Sequence, residues 1–262
     1  MNNQRDFIIE ICEAENITVE SLSKNYVLRL TKGEIVRTVY GSFWDINNAA
    51  ADKIACDKCA CYAILNESGV PAIEHRLLSH PIRRFGFTGE SGVWEKALSF
   101  FNKHRTVVVK PNSGSNGRAL HLCDTIQTLE LAVQEIFETS LDVAISPFYK
   151  IKTEYRIFYL NGECHLIYGK SPSPDDWRHN LSQGATAFEI MDEKQELESL
   201  AKGAAKAIGI TFASVDIAEL EDGKILIMEI NSGVQARQML QQLPHLRNKV
   251  KTIYATAIRD MF

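Results

Sequence analysis

The stretch FASVDIAEL-EDG-KILIMEIN, residues 212–231, decides the fold. Two runs of apolar and β-branched residues flank Asp222-Gly223, and Asp-Gly between such runs is among the strongest short hairpin signals. Read as a two-residue turn, Asp222-Gly223 pairs Glu221 with Lys224 and brings Asp216 directly opposite Glu229. Opposed side chains on one sheet face have Cβ atoms roughly 4.5–5.5 Å apart. Asn231 lies two residues beyond Glu229 and so points to the same face. Like charges in opposition destabilise a sheet, and the neighbours Val215, Ile217, Ile227, Met228 and Ile230 are apolar. A divalent cation removes the conflict. Asp, Glu and Asn offer only hard oxygens, which suit Mg²⁺ or Mn²⁺ rather than zinc. The bland alternative is a solvated acidic edge strand.

Working outward, a second hairpin precedes it: EYRIFYL-NG-ECHLIYG, residues 154–169. With Asn161-Gly162 as a two-residue turn, Glu154, Arg156 and Phe158 share a face with His165, Ile167 and Gly169, and Lys170 falls nominally on the opposite face. The following segment, residues 171–184, is irregular and polar and offers Arg178, Asn180 and Gln183. Arginine suits two-pronged contact to phosphate or carboxylate. Protein-bound Mg²⁺ usually shares its coordination sphere with phosphates, and a candidate phosphate loop lies upstream, with a plain Gly/Ser/Asn surface turn as the alternative reading. The strand TVVVK, residues 106–110, ends at Lys110 and runs into PNSGSNGR, residues 111–118. Gly114 and Gly117 permit close backbone approach, and Ser113, Ser115 and the loop amides are donors. No Gly-Lys-Ser/Thr follows the glycines, so this is not a Walker A loop.

The remaining pattern is mixed. Residues 26–31 and 35–39 read as strands around Lys32-Gly33-Glu34, and residues 49–68 as one helix with Asp45, Asn47 and Asn48 as candidate caps. Residues 79–94 are rich in breakers and read as a linker, followed by a helix near 92–104. Asp124 and Thr125 open a helix with the apolar stripe Ile126, Leu129, Val133, Ile136 and Phe137. Asp192 with Gln195 has the spacing of a capping box, ahead of a helix burying Leu197, Leu200, Ala201, Ala204 and Ile208 and ending at Gly209. Helices mixed with antiparallel hairpins indicate an α+β architecture.

Composition sets the outer bounds. The chain has 262 residues, with 29 Lys+Arg against 33 Asp+Glu, a net charge of −4 that argues against a chain wrapped around nucleic acid. No apolar run approaches the ~18 residues of a membrane span, and the first residues lack signal-peptide order. Six cysteines include Cys56-x-x-Cys59 without a matching second pair, so they read as buried helix thiols of a reducing cytosol. The expected setting is cytoplasmic, with no membrane and no nucleic-acid partner.

In this order, VVVKPNSGSNGRAL, ISPFYK, EYRIFYLNGE, RHNLSQG and VDIAEL…ILIMEINSG resemble the ATP-grasp superfamily. IACDKCACYAILNESGVP and DDWRHNLSQGATA resemble the entry helix and substrate-side loop of cyanophycin synthetases and peptide-modifying glutamate ligases. The resemblance implies two α+β subdomains gripping ATP, here residues 53–145 and 146–262 after a short N-terminal region, 1–52. It implies ATP and two Mg²⁺, with Mn²⁺ as substitute, the metals held by Asp216, Glu229 and Asn231. It also implies that Lys110 contacts the nucleotide phosphates and that the loop with Ser113, Gly114, Ser115 and Gly117 closes over them. Ser146, Pro147, Phe148 and Tyr149 would line the adenine pocket, and Glu154 would hold the ribose. Arg156 and Lys170 would face the γ-phosphate and an acyl phosphate, and Arg178 and Asn180 would border the reacting carboxylate.

Three features depart from the family pattern. The hinge reads Ser146-Pro147 where a glutamate is common. The N-terminal region is about half the usual length. The tail after Gly233 lacks the usual proline turn and presents Gln235, Arg237 and Gln238 as specificity candidates. The implied activity joins a small-molecule or peptide carboxylate to an amine, with homodimerisation a family-level expectation. The alternatives are a small-molecule kinase on the same nucleotide site and a nucleotide-binding module without turnover.

Overall fold

The computed structural model describes residues 4–81, 92–114, 119–174, 176–191 and 194–262. In chain order the elements are α1 (Gln4–Ala14), β1 (Thr18–Leu22), β2 (Val27–Lys32), β3 (Ile35–Tyr40), β4 (Phe43–Trp44), α2 (Ala49–Cys56), α3 (Lys58–Glu67), β5 (Arg76–Ser79) and α4 (Val93–His104). They continue with β6 (Val107–Pro111), β7 (His121–Cys123), α5 (Ile126–Thr139), β8 (Asp142–Pro147), β9 (Ile151–Leu160), β10 (Glu163–Ser171), β11 (Thr186–Glu189), α6 (Gln195–Ile208), β12 (Phe212–Leu220), β13 (Ile225–Asn231), α7 (Arg237–Gln242) and α8 (Arg247–Arg259). The expected α+β architecture is present. Among the described residues no helix is long and apolar enough to cross a membrane.

The chain divides into two compact units. One contains the described residues up to Ala55 together with Ile151–Phe262; the other is Cys56–Lys150. The N-terminal region, read from sequence as residues 1–52 standing apart, shares one apolar core with residues between Phe158 and Met261. Phe7, Ile8 and Ile11 of α1, Leu28, Leu30, Val39 and Trp44 of the first sheet, Phe158 and Phe212 of the central sheet, and Val250 and Tyr254 of α8 form that core. Trp44 meets Phe212 edge-on at 5.2 Å between ring centres.

The first unit holds two antiparallel sheets, ordered β1-β2-β3-β4 and β11-β10-β9-β12-β13. Side chains alternate between faces along each strand. On one face of the five-stranded sheet Phe158, Leu160, Leu166 and Phe212 enter the shared core. Ile157, Val215 and Ile217 point to the other face and are fully buried, and α6 packs across β9, β10, β12 and β13.

The second unit is a four-stranded antiparallel sheet, β5-β8-β6-β7, with a core of Val107, Val109, Val143 and Ile145 against Ala97 and Phe101 of α4 and Leu129, Val133 and Ile136 of α5.

Several local expectations are corrected. The helix over 49–68 is two helices, broken at Asp57, whose carboxylate accepts from the Ala60 amide at 2.8 Å and caps α3. Asn48 caps α2 through the Ala51 amide, whereas Asn47 is used elsewhere. Thr125 and Thr128 form the reciprocal cap of α5, but Ile126, read as part of its buried stripe, is 51% exposed. Helix α6 begins at Gln195 behind Lys194, and Asp192 lies outside the described residues. Most of the linker read at 79–94 also lies outside them, with Ser79 closing β5 and Val93 opening α4.

Candidate active site

Two β-bulges align the polar residues of the five-stranded sheet. The turn after β12 is three residues long: the Leu220 amide donates to the Lys224 carbonyl at 2.8 Å, the Gly223 amide to the Leu220 carbonyl at 3.0 Å, and Gly223 has φ 84°. A three-residue turn shifts the register by one from the expected pairing. An extra residue, Met228, between the pairs Asp216↔Glu229 and Ile217↔Ile227 shifts it back. Asp216 therefore faces Glu229 as expected, through two compensating irregularities.

The first hairpin has the expected two-residue turn, with Asn161 and Gly162 both at positive φ. It then bulges between Cys164 and Leu166, so that Lys170 pairs with Glu154, Tyr168 with Arg156 and Leu166 with Phe158. The expected neighbours His165, Ile167 and Gly169 give way to these three. The slip of one residue transfers Lys170 to the face that carries Glu154 and Arg156.

The outcome is a row across four strands, Tyr168–Arg156–Asp216–Glu229, flanked by Lys170–Glu154 on one side and Ser214–Asn231 on the other. Arg156 donates to Asp216 in two prongs, Nε to Oδ1 at 2.7 Å and Nη2 to Oδ2 at 2.6 Å. Lys170 Nζ reaches Asp216 Oδ1 at 3.2 Å and forms an ion pair with Glu154. The Asn231 amide nitrogen bridges Asp216 Oδ2 and Glu229 Oε1, each at 3.1 Å. Both oxygens of Asp216 thus accept two donors.

These partners answer the like-charge conflict seen in the sequence, and they exclude the solvated-edge reading for Asp216, which is 1% exposed on an interior strand. Burial pushes the Asp216 carboxyl up, but the Arg156 guanidinium and the Lys170 ammonium outweigh it and hold it at about 2. Burial raises Glu154 above the ordinary carboxylate range, against the pull of Lys170. Burial and Arg156 disfavour the Lys170 ammonium, yet Asp216 and Glu154 raise it overall.

The donor set fits a hard divalent cation. Asp216, Glu229 and Asn231 share one face, and turning the Asn231 amide presents its oxygen. Ser214 Oγ, buried one strand away from Asn231, has no hydrogen-bond partner. A cation taking an oxygen of Asp216 would displace one of its present donors, and Arg156, with its side chain 25% exposed against 4% for Lys170, is the more exposed of the two basic groups.

The other candidates are placed as follows. Lys110 is half-buried on β6 opposite Ala144, and Ser146 and Pro147 pair with Val108 and Val107. The Phe148 amide donates to the Thr106 carbonyl at 3.1 Å, and Tyr149 follows it, half-buried. Ser113 and Gly114 are exposed; Ser115 and Gly117 lie outside the described residues. Sequence reasoning missed Asn112 and Lys58. Asn112, 1% exposed, accepts from the Cys59 amide at 3.1 Å, and Lys58 Nζ donates to the Gly114 carbonyl at 3.0 Å. The first turn of α3 therefore pins the start of the glycine loop. The signal was Asp57-Lys58 at a helix start, hidden by reading one continuous helix.

Arg178 does not stand free: it holds Asp176 of its own loop at 2.7 Å and 2.9 Å. Asn180 heads a 3-10 turn and makes no side-chain cap. His179, 4% exposed, contacts the Lys170 carbonyl through Nδ1 at 3.0 Å and ties this loop to the end of β10. Gln235, Arg237 and Gln238 are exposed. All six cysteines are free thiols, and burial pushes Cys59 and Cys164 up to about 12, which keeps them out of nucleophilic chemistry.

Comparison with known proteins bears on the family and the fold. The RimK-like ATP-grasp domain matches residues 55–245. A protein of Aeromonas salmonicida named probable alpha-L-glutamate ligase is 28% identical over 128 residues, 48% of this chain and 42% of that protein, so the match spans less than half the relative's length. D-alanyl-alanine synthetase A from Vibrio cholerae superposes with a TM-score of 0.68 at 13% identity, covering 98% of this chain and 92% of that one. D-alanine–D-alanine ligase from Bacillus anthracis superposes with a TM-score of 0.60 at 18% identity, covering 82% and 71%. At these identities the two structures establish the fold.

Proposed function

The chain belongs to the RimK-like ATP-grasp family, and from that premise we propose that it is an ATP- and Mg²⁺-dependent ligase joining a carboxylate of an amino acid or peptide to an amine. The observation that carries this reading is the row Arg156–Asp216–Glu229 with Lys170 and Asn231 beside it. It sets oxygen ligands for a metal next to two permanent positive charges, which is what transfer of a phosphoryl group requires.

The residues divide the work. A substrate carboxylate oxygen forms a bond to the γ-phosphorus of ATP, the bond to the bridging oxygen breaks, and ADP leaves. An amine nitrogen then bonds the acyl carbon, the carbon–oxygen bond to phosphate breaks, and the amine gives up a proton to solvent. Arg156 and Lys170 neutralise charge on the transferring group, an effect typically worth ~3–4 kcal/mol per well-placed donor. Asp216, Glu229 and Asn231 would hold Mg²⁺, which when bound neutralises phosphate charge. Lys110 and the loop from Ser113 to Gly117 serve the nucleotide phosphates in this reading. Ser146, Pro147, Phe148 and Tyr149 serve the base, Glu154 the ribose, and Arg178 and Asn180 the reacting carboxylate. Arg178 reaches a substrate by exchanging Asp176 for it. The name of the Aeromonas relative favours glutamate as one substrate.

The test is ADP release across a panel of amino acids and peptides, with mass spectrometry of the products. An amide product with stoichiometric ADP is expected. A stable phosphorylated product without an amide selects the kinase reading, and tight ATP binding without ADP release selects a module without turnover.

A further inference from the structure

The strand carrying Glu229 and Asn231 is the edge of its sheet, with β12 as its only neighbour among the described residues. Its last ladder pair is Ser214↔Asn231. Beyond that pair, Ser232 and Gly233 have no ladder partner among the described residues. Two side chains of the N-terminal segment, Asn47 and Asp52, meet the open end of this hairpin.

On the β12 arm, Asn47 uses its whole amide. Oδ1 accepts from the backbone amides of Thr211 at 3.0 Å and Phe212 at 2.8 Å. Nδ2 donates to the Phe212 carbonyl at 2.9 Å and to Asp52 Oδ1 at 3.1 Å. On the β13 arm, the Ser232 hydroxyl lies beside the Asp52 carboxylate and favours its charged form, and Ser232 is 2% exposed. Alongside, Gly233 lies so close to Ser42 that a Cβ at 233 would stand 2.7 Å from the Ser42 Cβ. Asn47–Asp52–Ser232 is therefore a continuous polar bridge between the start of β12 and the residue following Asn231.

We infer that Asp52, held by Asn47, is a positioning residue for the metal-ligand strand, fixing Asn231 through Ser232. The inference rests on the proposed metal role of Asp216, Glu229 and Asn231. Groups that orient metal ligands without touching the ion commonly change affinity by about 10–100-fold when removed. The N-terminal segment thereby becomes a working part of the site as well as a share of the core.

The test uses the full chain and Mn²⁺ with ADP as probe, following Mn²⁺ binding by calorimetry, thermal unfolding of the ligand-free protein, and amide hydrogen exchange. Asp52→Ala and Ser232→Ala are expected to weaken Mn²⁺ binding about tenfold or more. Asp52→Asn, which keeps an oxygen acceptor, is expected to recover most of it. Exchange at residues 230–233 should rise in Asp52→Ala before any ligand is added. Unchanged Mn²⁺ affinity in both alanine variants overturns the inference, as does a loss that merely tracks the fall in melting temperature across the three variants. If the unaltered chain binds no Mn²⁺ while exchange at 230–233 still rises in Asp52→Ala, the metal reading fails and the positioning of the strand stands. If exchange is also unchanged, both fail.

Discussion

At the scale of single residues, the two acidic metal candidates are not equivalent. Asp216 is a buried carboxylate balanced by Arg156 and Lys170, whereas Glu229 is half-buried and bonds Asn231. Removing one partner of a buried ion pair leaves an uncompensated charge, at a cost of about 3–5 kcal/mol. Asp216→Asn is therefore expected to lose turnover and a large part of its stability together. Glu229→Gln is expected to lose turnover and Mn²⁺ binding while unfolding in urea within ~0.5 kcal/mol of the parent. The pH dependence follows from Asp216. Its folded value, about 2, lies below the ordinary 3.8, so its stabilisation is complete above the ordinary value and disappears as pH falls through the folded one. The stability gap between the parent chain and Asp216→Asn should be constant above about pH 5 and close between pH 4 and pH 2 in denaturant titrations.

At the scale of elements, caps and close approaches carry the local argument. Asp57 interrupts what its apolar neighbours would otherwise continue as a helix, because its carboxylate satisfies the Ala60 amide at the head of α3. Asp57→Ala is expected to cost about 1 kcal/mol in urea unfolding. Because the Lys58 and Cys59 amides both bond Asn112, the start of the glycine loop should also exchange its amides faster. In the central sheet, Gly169 sits under the Phe188 ring of the neighbouring strand, and a Cβ there would lie 2.2 Å from the ring. Gly169→Ala is expected to destabilise by roughly 1–3 kcal/mol through overpacking. Adding Phe188→Ala should recover part of that loss in a double-mutant cycle, since the clash needs both side chains.

At the scale of the whole molecule, the N-terminal residues belong to the core that supports the five-stranded sheet. Trp44 packs edge-on against Phe212, the first residue of the strand that carries Asp216, and lies 5.4 Å from the ring of Tyr254 in α8. Removing a fully buried aromatic of this kind costs about 3–5 kcal/mol, of the order of a domain's whole stability. Trp44→Ala is expected to lower the melting temperature sharply, and removal of residues 1–48 to yield protein that is degraded in limited proteolysis. A truncated chain with native protease resistance would show that the core is complete without them.

The sequence by itself determined the elements whose signals are local: both hairpins, around Asn161-Gly162 and Asp222-Gly223, the helix opened by Thr125 and the Gly209 stop; Asp216 faces Glu229 as expected only because the bulge at Met228 cancels the extra turn residue. Turn chemistry and side-chain periodicity act over a few residues, so they can be read without a fold. Only the tertiary structure decided where Lys170 points, because the bulge at His165 that turns it toward Glu154 has no glycine or proline to announce it. Only the tertiary structure showed that Asp216 is matched by Arg156 and Lys170, since those contacts join strands about 60 and 46 residues apart in sequence. The same holds for Asn47 and Asp52. From sequence, Asn47 was a candidate helix cap and Asp52 a helix residue without a role. Long-range packing places Asn47 on the backbone of Thr211 and Phe212 at the start of β12, with Asp52 beside it, where backbone donors and acceptors need partners from outside the sheet.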